Sequence, residues 1–530
     1  MQIGHIGESM NRSRRLLHEG LLFNAARDTM AGKAAVIAEG RPYTYQQLLE
    51  GAQRLASALQ SRGLQRGDRV AIYMDNTWPC IVSVYATLLA GGVFLVVNPQ
   101  TKADKLEFIL RDSGAAILLT DYHLVNIFSA VIDKAECLRA VIVSGQADAA
   151  LATRHVPVTG FEAELQAQPA ARAAGTIALD LAALIYTSGS TGHPKGVMQT
   201  HQSMVFATDS LIEYLRLDES DRILCLLPLA FDYGLYQLLM AVTLGATLVL
   251  ERSFTYPAQI YTRMAETRVT VFPGVPTIYS MMVSAHARAP MKFPEVRRVT
   301  NTAAALPDSF VPRLREIFPQ ALVYKMYGLT ECKRVCYLEP ELVDQKPGSV
   351  GKAIPGTEVY LQGENGEPVA HGQTGILHVR GPHVMLGYWN RPDLSDYMLK
   401  AGKLPGERVL CTHDHFRMDA EGFLYFVGRT DDIIKTRGEK VSPVEVEEAL
   451  HRIPGVREAA VIGVPDDTLG QAIRAYIVPD VGASLTEKQV RALSAGMMES
   501  FMVPKEVLFR DSLPKTATGK VSKRLLMEER

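Results

Sequence analysis

Short, almost wholly apolar runs alternate, in the first third of the chain, with segments whose apolar positions recur every three or four residues. RVAIYM (Arg69–Met74), VFLVV (Val93–Val97) and the run Ala116–Leu119 predict buried strands. Between them, Pro79–Leu89 and Lys102–Asp112 carry helical spacing, and YTYQQLLE (43–50) opens an amphipathic helix that reaches about Gly63. This rhythm predicts parallel sheet covered by helices. Residues 145–177 are Ala-rich and weakly patterned and read as a connecting excursion. Leu181–Ile185 then predicts another buried strand. The longest apolar stretch, Gly234–Leu250, contains Gln237 and is broken by Gly245, so it reads as a buried helix followed by a strand and not as a membrane span.

After about residue 345 the pattern changes. PGSVGKAIPGTEVYL, GILHVRGPHVMLGYW and GFLYFVGR are short strand patterns separated by Gly/Pro turns, which predicts an antiparallel, barrel-like segment. GRTDDIIKTRGEKVSP is charged and glycine-bearing, and Ser442–Pro443 opens a helix near Val444, so a boundary falls here. VREAAVIGVPD and IRAYIVPD predict strands, and Glu487–Glu499 a helix. The expected fold is α/β: a large N-terminal domain (1–430) of parallel α/β layers plus the small barrel-like segment, hinged to a small α+β C-terminal domain (431–530).

Composition narrows the class. A chain of 530 residues exceeds what one hydrophobic core fills. With 56 basic against 57 acidic residues, nothing favours a nucleic-acid partner or an anionic membrane surface. Six scattered cysteines and an N-terminus with no apolar signal segment predict a cytoplasmic protein in a reducing compartment. Cys332 and Cys336 lie four apart without a second ligand pair nearby, and are taken as unpaired thiols.

The candidate chemistry begins in LIYTSGSTGHPKGVMQTH (184–201). The strand runs into a loop holding Thr187, Ser188, Ser190 and Thr191, the glycines Gly189, Gly192 and Gly196, and Lys195. Glycines free backbone N–H groups to face an anion, and hydroxyls and lysine add donors, so the loop reads as a polyphosphate cradle. The GxxxxGK[ST] spacing is absent, since Gly196 follows Lys195.

TSGSTGHPKGV resembles the phosphate-loop signature of the adenylate-forming superfamily, which includes acyl-CoA synthetases, aminoacyl adenylation domains and luciferases. Further motifs follow in the family's order over nearly the whole chain. In MYGLTE, the resemblance makes Glu331 the Mg²⁺ ligand, Thr330 an α-phosphate contact and Tyr327, beside Gly328, the residue that stacks on adenine. Asp414, in THD where the family has TGD, would take the ribose hydroxyls, an acceptor-only task. His413 stands in the glycine's place, and His413 and His415 read as loop histidines. Arg429 resembles the arginine that reaches the ribose, Asp431 the hinge between half-reactions, and Gly438–Glu439–Lys440 the loop lining the thiol tunnel. Lys520, in PKTATGK, resembles the catalytic lysine. TNTAAALP replaces a Gly-Gly-Ala turn and would place Ala303 and Ala304 in the pocket wall.

LPLAFDYGLYQLL (Leu227–Leu239) corresponds to the acyl-pocket segment. Phe231 falls at the gate between carboxylate and thiol, with Tyr233 and Tyr236 beyond it. Asp232 either pairs with a substrate ammonium or is structural, and the sequence leaves both open. The activity implied is ATP-dependent activation of a carboxylic acid to an acyl-adenylate, with transfer to a thiol, CoA foremost. Loading of a separate carrier protein's phosphopantetheine, or transfer to an amine, would share every motif.

Overall fold

The computed structural model describes residues 14–145, 156–166, 173–187, 194–302, 304–429, 432–436, 439–466, 468–516 and 519–528. Its chain divides into two units, one of Met1–Thr255 with Met385–Leu394, the other of Tyr256–Val384 with Ser395–Arg530.

The first unit realises the strand–helix rhythm of the sequence. β1 (Arg69–Tyr73), β2 (Val93–Val97), β3 (Ala115–Asp121) and β4 (Ala140–Ser144) are parallel, and β5 (Leu181–Thr187) joins β2 in parallel. The sheet runs in the order Val158–Gly160, β4, β3, β1, β2, β5, then β6 (Lys195–Thr200), which is antiparallel to β5. Ala71, Leu95, Leu118 and Val141 pack with Leu106, Ile109 and Leu110 of the helix Ala103–Ser113, all buried. Each of the leucine, isoleucine and valine side chains contributes about 1.5–3 kcal/mol by leaving water.

The helix α1 (Tyr45–Ser61) shows why local sequence suffices here. Thr44 accepts from the Gln47 N–H while the Gln47 side chain accepts from the Thr44 N–H, a capping box. Its Leu48, Ala52, Leu55 and Leu59 form the buried stripe that the spacing predicts. α2 (Asp232–Leu244) ends at Gly245, left-handed at φ +83°, the break seen in the sequence.

In the second unit, β7 (Val271–Gly274), β8 (Arg298–Asn301) and β9 (Leu322–Tyr327) are parallel. The sheet then continues with antiparallel strands: β10 (Cys336–Leu338), β11 (Ser349–Ala353), β14 (Leu424–Arg429), β13 (Arg408–Met418), β12 (Thr374–Arg380) and Glu358–Gln362. The antiparallel segment expected after residue 345 is therefore present. GILHVRGPHVMLGYW is not one strand, however: β12 ends at Arg380.

The last hundred residues have a sheet of their own, in the order Glu439–Val441, Ile434–Thr436, β16 (Gly470–Pro479) and β15 (Val456–Asp466), with Glu506–Phe509 parallel to β16. The helix Pro443–His451 is capped by the Ser442 hydroxyl, and its Val446 and Leu450 pack with Val461, Ile473 and Val507. The helix expected over 487–499 stops at Ala495, before Gly496. No helix among the described residues is long and apolar enough to cross a membrane.

Candidate active site

In the first unit, β5 and β6 form the two arms of the hairpin that carries the glycine–hydroxyl loop, with Thr187 opposite Lys195. Ser188, Gly189, Ser190, Thr191 and Gly192 lie outside the described residues, as do Ala303, Asp431, Gly438 and the side chain of Lys440. The Thr187 hydroxyl is buried and has no hydrogen-bond partner among the described residues. Lys195 Nζ donates to the Tyr388 hydroxyl at 2.9 Å and lies 4.2 Å from that ring's centroid. Tyr388 belongs to a segment that clasps β6. Met198 N–H donates to Gly387 O, Leu386 N–H to Met198 O and Trp389 N–H to Gly196 O. The Trp389 indole N–H in turn donates to Asp112 O at 2.9 Å, and the Tyr186 hydroxyl to the Asp112 carboxylate at 2.7 Å. The hairpin root is thus fixed on both strands.

α2 carries the substrate-pocket candidates. Phe231 is its extended N-cap, and Asp232 sits in the first turn, where a carboxylate gains about 0.3–1 kcal/mol from the helix dipole. Tyr233 and Tyr236 are buried on the same helix. A Cβ on Gly234 would stand 2.3 Å from Pro228 O, so only glycine lets α2 pack on the Leu227–Pro228 backbone. Asn76 fastens that backbone, donating to Leu227 O at 3.0 Å and accepting from Leu229 N–H at 2.9 Å.

At the carboxyl ends of β1 and β3 the structure gathers a group the sequence did not flag. Asp75 N–H donates to the Asp121 carboxylate at 2.9 Å, and His123 Nε2 is 3.2 Å from the Asp75 carboxylate. Burial pushes the Asp121 carboxyl up to about 6. Arg252 stands 3.7 Å from Asp75. No such group forms around Cys332 and Cys336 among the described residues, and neither is in a disulfide.

In the second unit, the turn after β9 brings Tyr327, Gly328, Thr330 and Glu331 together. Val335 N–H returns to Tyr327 O at 3.0 Å and Cys332 N–H to Leu329 O at 3.0 Å. Lys333 has φ +59°, and Arg334 N–H donates to Cys332 O at 2.7 Å, which makes a strained γ-turn. A Cβ on Gly328 would stand 2.4 Å from Lys333 O. Glycine and γ-turn together fold the loop tightly, and Glu331 is 8% exposed.

Arg334, a residue outside the sequence motifs, is 1% exposed, and its guanidinium donates to the Thr302 hydroxyl. Thr302 leads into the alanine loop, which Asn301 holds from the other side by donating to Ala304 O at 2.9 Å. Ala304 is exposed. Neither Ala304 nor Ala305 takes a positive φ, so neither is strained by its Cβ.

Asp414 is 4% exposed and lies opposite Arg429 in the β13–β14 pair. Its carboxylate accepts from the Tyr327 hydroxyl and is 3.5 Å from Arg429 Nε. Burial raises the Asp414 carboxyl above the usual aspartate range; Arg429 and the Tyr327 hydroxyl oppose that, as does Lys520, while Glu331 reinforces it. The Tyr327 ring meets Phe416 edge-on at 4.8 Å and lies near-parallel to Phe426 at 5.9 Å. His413 holds φ +56°, the left-handed path a glycine would take, although it carries a side chain.

Lys520 ends a loop closed by Thr516 N–H to Lys520 O at 2.7 Å and Gly519 N–H to Thr516 O at 2.9 Å. Gly519 O accepts from the Thr277 hydroxyl at 2.7 Å, at the start of α3 (Pro276–Arg288). Tyr327, Glu331, Asp414, Arg429 and Lys520 are therefore one electrostatic group within the second unit. Glu439 is exposed, on the short strand Glu439–Val441.

Residues 22–389 match the family model described as AMP-binding enzyme, and residues 445–520 that described as AMP-binding enzyme C-terminal domain. A long-chain-fatty-acid–CoA ligase of Bacillus subtilis (strain 168) is 31% identical over 522 residues, covering 94% of this chain and 92% of its own. A feruloyl-CoA synthase of an Amycolatopsis species is 32% identical over 489 residues, covering 91% and 93%. Among solved structures, an anthranilate CoA ligase in complex with anthranoyl-AMP superposes with a TM-score of 0.88 at 26% identity, covering 97% of this chain and 96% of that one.

Proposed function

Because the chain belongs to the AMP-binding enzyme family and is an AMP-forming acid–CoA ligase, we propose that Glu331, Thr330, Asp414, Arg429 and Lys520 carry its adenylation step. The observation behind this reading is the buried Asp414 carboxylate, held by Tyr327 and Arg429 and under the charge of both Glu331 and Lys520. A carboxylate that accepts from a phenol and faces a guanidinium is an acceptor suited to a diol, here the ATP ribose.

The reaction has two halves. In the first, an oxygen of the acid's carboxylate attacks the α-phosphorus, and the bond to the pyrophosphate oxygen breaks. No base is needed, since the carboxylate is already ionised. Two anions must meet, so the Lys520 ammonium would bridge the attacking oxygen and the α-phosphate, while Thr187, Lys195 and the 188–192 loop hold the departing phosphates. One such donor is typically worth about 10²–10³ in rate. In the second half, the CoA thiol attacks the acyl carbon and AMP leaves, the thiol proton passing to solvent.

Mg²⁺ fits the residue assigned to it: the Glu331 carboxylate offers oxygen donors only, as a hard cation requires. Bound there, the ion would neutralise phosphate charge. The C-terminal part, 431–530, would turn about Asp431 so that Gly438–Glu439–Lys440 faces the thiol in the second half. Phe231, Tyr233, Tyr236, Ala303 and Ala304 would line the acyl pocket, with Asp232 at its helix end. The scattered cysteines, none of them in a disulfide, suit a reducing compartment, and we assign the enzyme to the cytoplasm.

Incubation with ATP–Mg²⁺, a panel of carboxylic acids and CoA tests the reading: AMP, pyrophosphate and a CoA thioester are expected. ADP and phosphate would overturn it. A thioester only with a carrier protein, or an amide only with an amine, would keep the first half and replace CoA as acceptor.

A further inference from the structure

The two strands that present Asp414 are out of step around it. Between Ile376 and His378 of β12 lies one residue; between their partners His415 and Cys411 of β13 lie three, Thr412, His413 and Asp414. β13 therefore bulges at the position of the carboxylate. Thr412 stitches the bulge, donating from its hydroxyl to Leu377 O at 2.9 Å and accepting from the Asp414 N–H at 3.1 Å. His413 makes the turn itself, at φ +56°, where a Cβ is disfavoured.

The imidazole is also fixed. It lies flat on the Tyr397 ring, with centroids 4.1 Å apart and planes 3° from parallel. Its Nε2 is 3.3 Å from Tyr397 O, and its Nδ1 is 4.0 Å from Cys411 Sγ. Tyr397 is largely exposed and stands two residues before Leu399–Ala401, the short strand that pairs with β13 at Leu410. A solvent-facing aromatic ring is thus docked onto the residue that bends the chain next to Asp414.

We infer that Tyr397 and His413 are positioning residues for ATP: their stack holds the left-handed turn that sets the Asp414 carboxylate for the ribose, doing by side-chain contact what a glycine does by backbone freedom. The inference rests on Asp414 being the ribose acceptor.

The test compares His413→Ala, His413→Gly, Tyr397→Ala and Tyr397→Phe, with Asp414→Ala as control, measuring KM for ATP, for 2′,3′-dideoxy-ATP and for the acid. His413→Ala keeps the strained Cβ and loses the stack, so KM for ATP should rise roughly tenfold, the scale of one charge-assisted hydrogen bond. Tyr397→Ala should do the same, and the double variant no more. His413→Gly and Tyr397→Phe should stay within about threefold of the parent, glycine because it needs no support at positive φ. KM for the acid, and for dideoxy-ATP, should not move. Equal KM for ATP in His413→Ala and the parent overturns the inference. Asp414→Ala that still prefers ATP to its dideoxy analogue overturns the ribose reading and the inference with it. Loss of that preference in Asp414→Ala but not in His413→Ala overturns the inference alone.

Discussion

Lys195 is bound to Tyr388 twice over, by a 2.9 Å hydrogen bond to the hydroxyl and by an ammonium 4.2 Å from the ring centroid. Tyr388 is 2% exposed and bridges Val197, so the lysine leans on a fixed wall. Tyr388→Phe keeps the wall and removes the hydroxyl. It should cost about 1–2 kcal/mol in ATP binding, read as a five- to thirtyfold rise in KM for ATP with the melting temperature nearly unchanged. Tyr388→Ala should instead destabilise the fold by roughly 3–5 kcal/mol, as for a lost core aromatic, measured by denaturant unfolding.

Lys520→Ala should lower acyl-adenylate formation by about 10²–10³ and leave thioester formation from pre-made adenylate within a few-fold. Single-turnover assays of each half separate the two. Equal losses in both would rule out distinct conformations for the two steps.

Gly328→Ala forces a methyl group against Lys333 O, 2.4 Å away, where backbone and not a flexible side chain must give. A loss of about 1–3 kcal/mol in stability is expected. Pyrophosphate release should fall further than stability accounts for, because the displaced loop carries Thr330 and Glu331.

Asp121, with its carboxyl raised to about 6, gives a pH-dependent term. Between the unfolded value near 3.8 and about 6 the folded state holds the proton that the unfolded state has released. Stability from this group therefore falls as pH rises through that window and stays low above it. Asp121→Asn, which still accepts from the Asp75 N–H, should raise the melting temperature at pH 7–8 and leave it unchanged near pH 4. The expected gain is roughly 2–3 kcal/mol. No gain at pH 8 would show Asp121 stabilised there by Arg252 and His123.

Pyrophosphate release across matched acids, each beside its α- or ω-amino counterpart and without thiol, decides the role of Asp232. Preference for amino members, abolished in Asp232→Asn, makes it an ammonium anchor. Preference for plain acids, with Asp232→Asn changing stability by about 0.3–1 kcal/mol, leaves it a helix-dipole partner.

What could be read from the sequence followed from periodicity. β2 was found to the residue and β1 to within one, because buried parallel strands are unbroken apolar runs and the intervening helices keep their stripe. The phosphate loop, Asp414 and Lys520 were assigned by motif resemblance alone. Contacts between distant segments left no local signal. Nothing in HVMLGYW tells that Tyr388 closes on Val197, or that Tyr397 covers His413. Lys333 and Arg334 are both buried, and the Thr302 hydroxyl that receives Arg334 follows a different strand. His413 takes φ +56° where the family motif has glycine, and its ring lies on Tyr397, a contact with no local signal in the sequence.

The clasp on β6 also bears on the order of events at the ribosome. The first unit takes Met385–Leu394 as its own, so residues 256–384 must be synthesised before its hairpin gains Tyr388 and Trp389. The 189 residues from His201 to Trp389 take, at 5–20 residues per second, roughly ten to forty seconds. Until then the nascent hairpin edge lacks its cover and is open to chaperones, and a truncation before residue 385 would leave it so permanently.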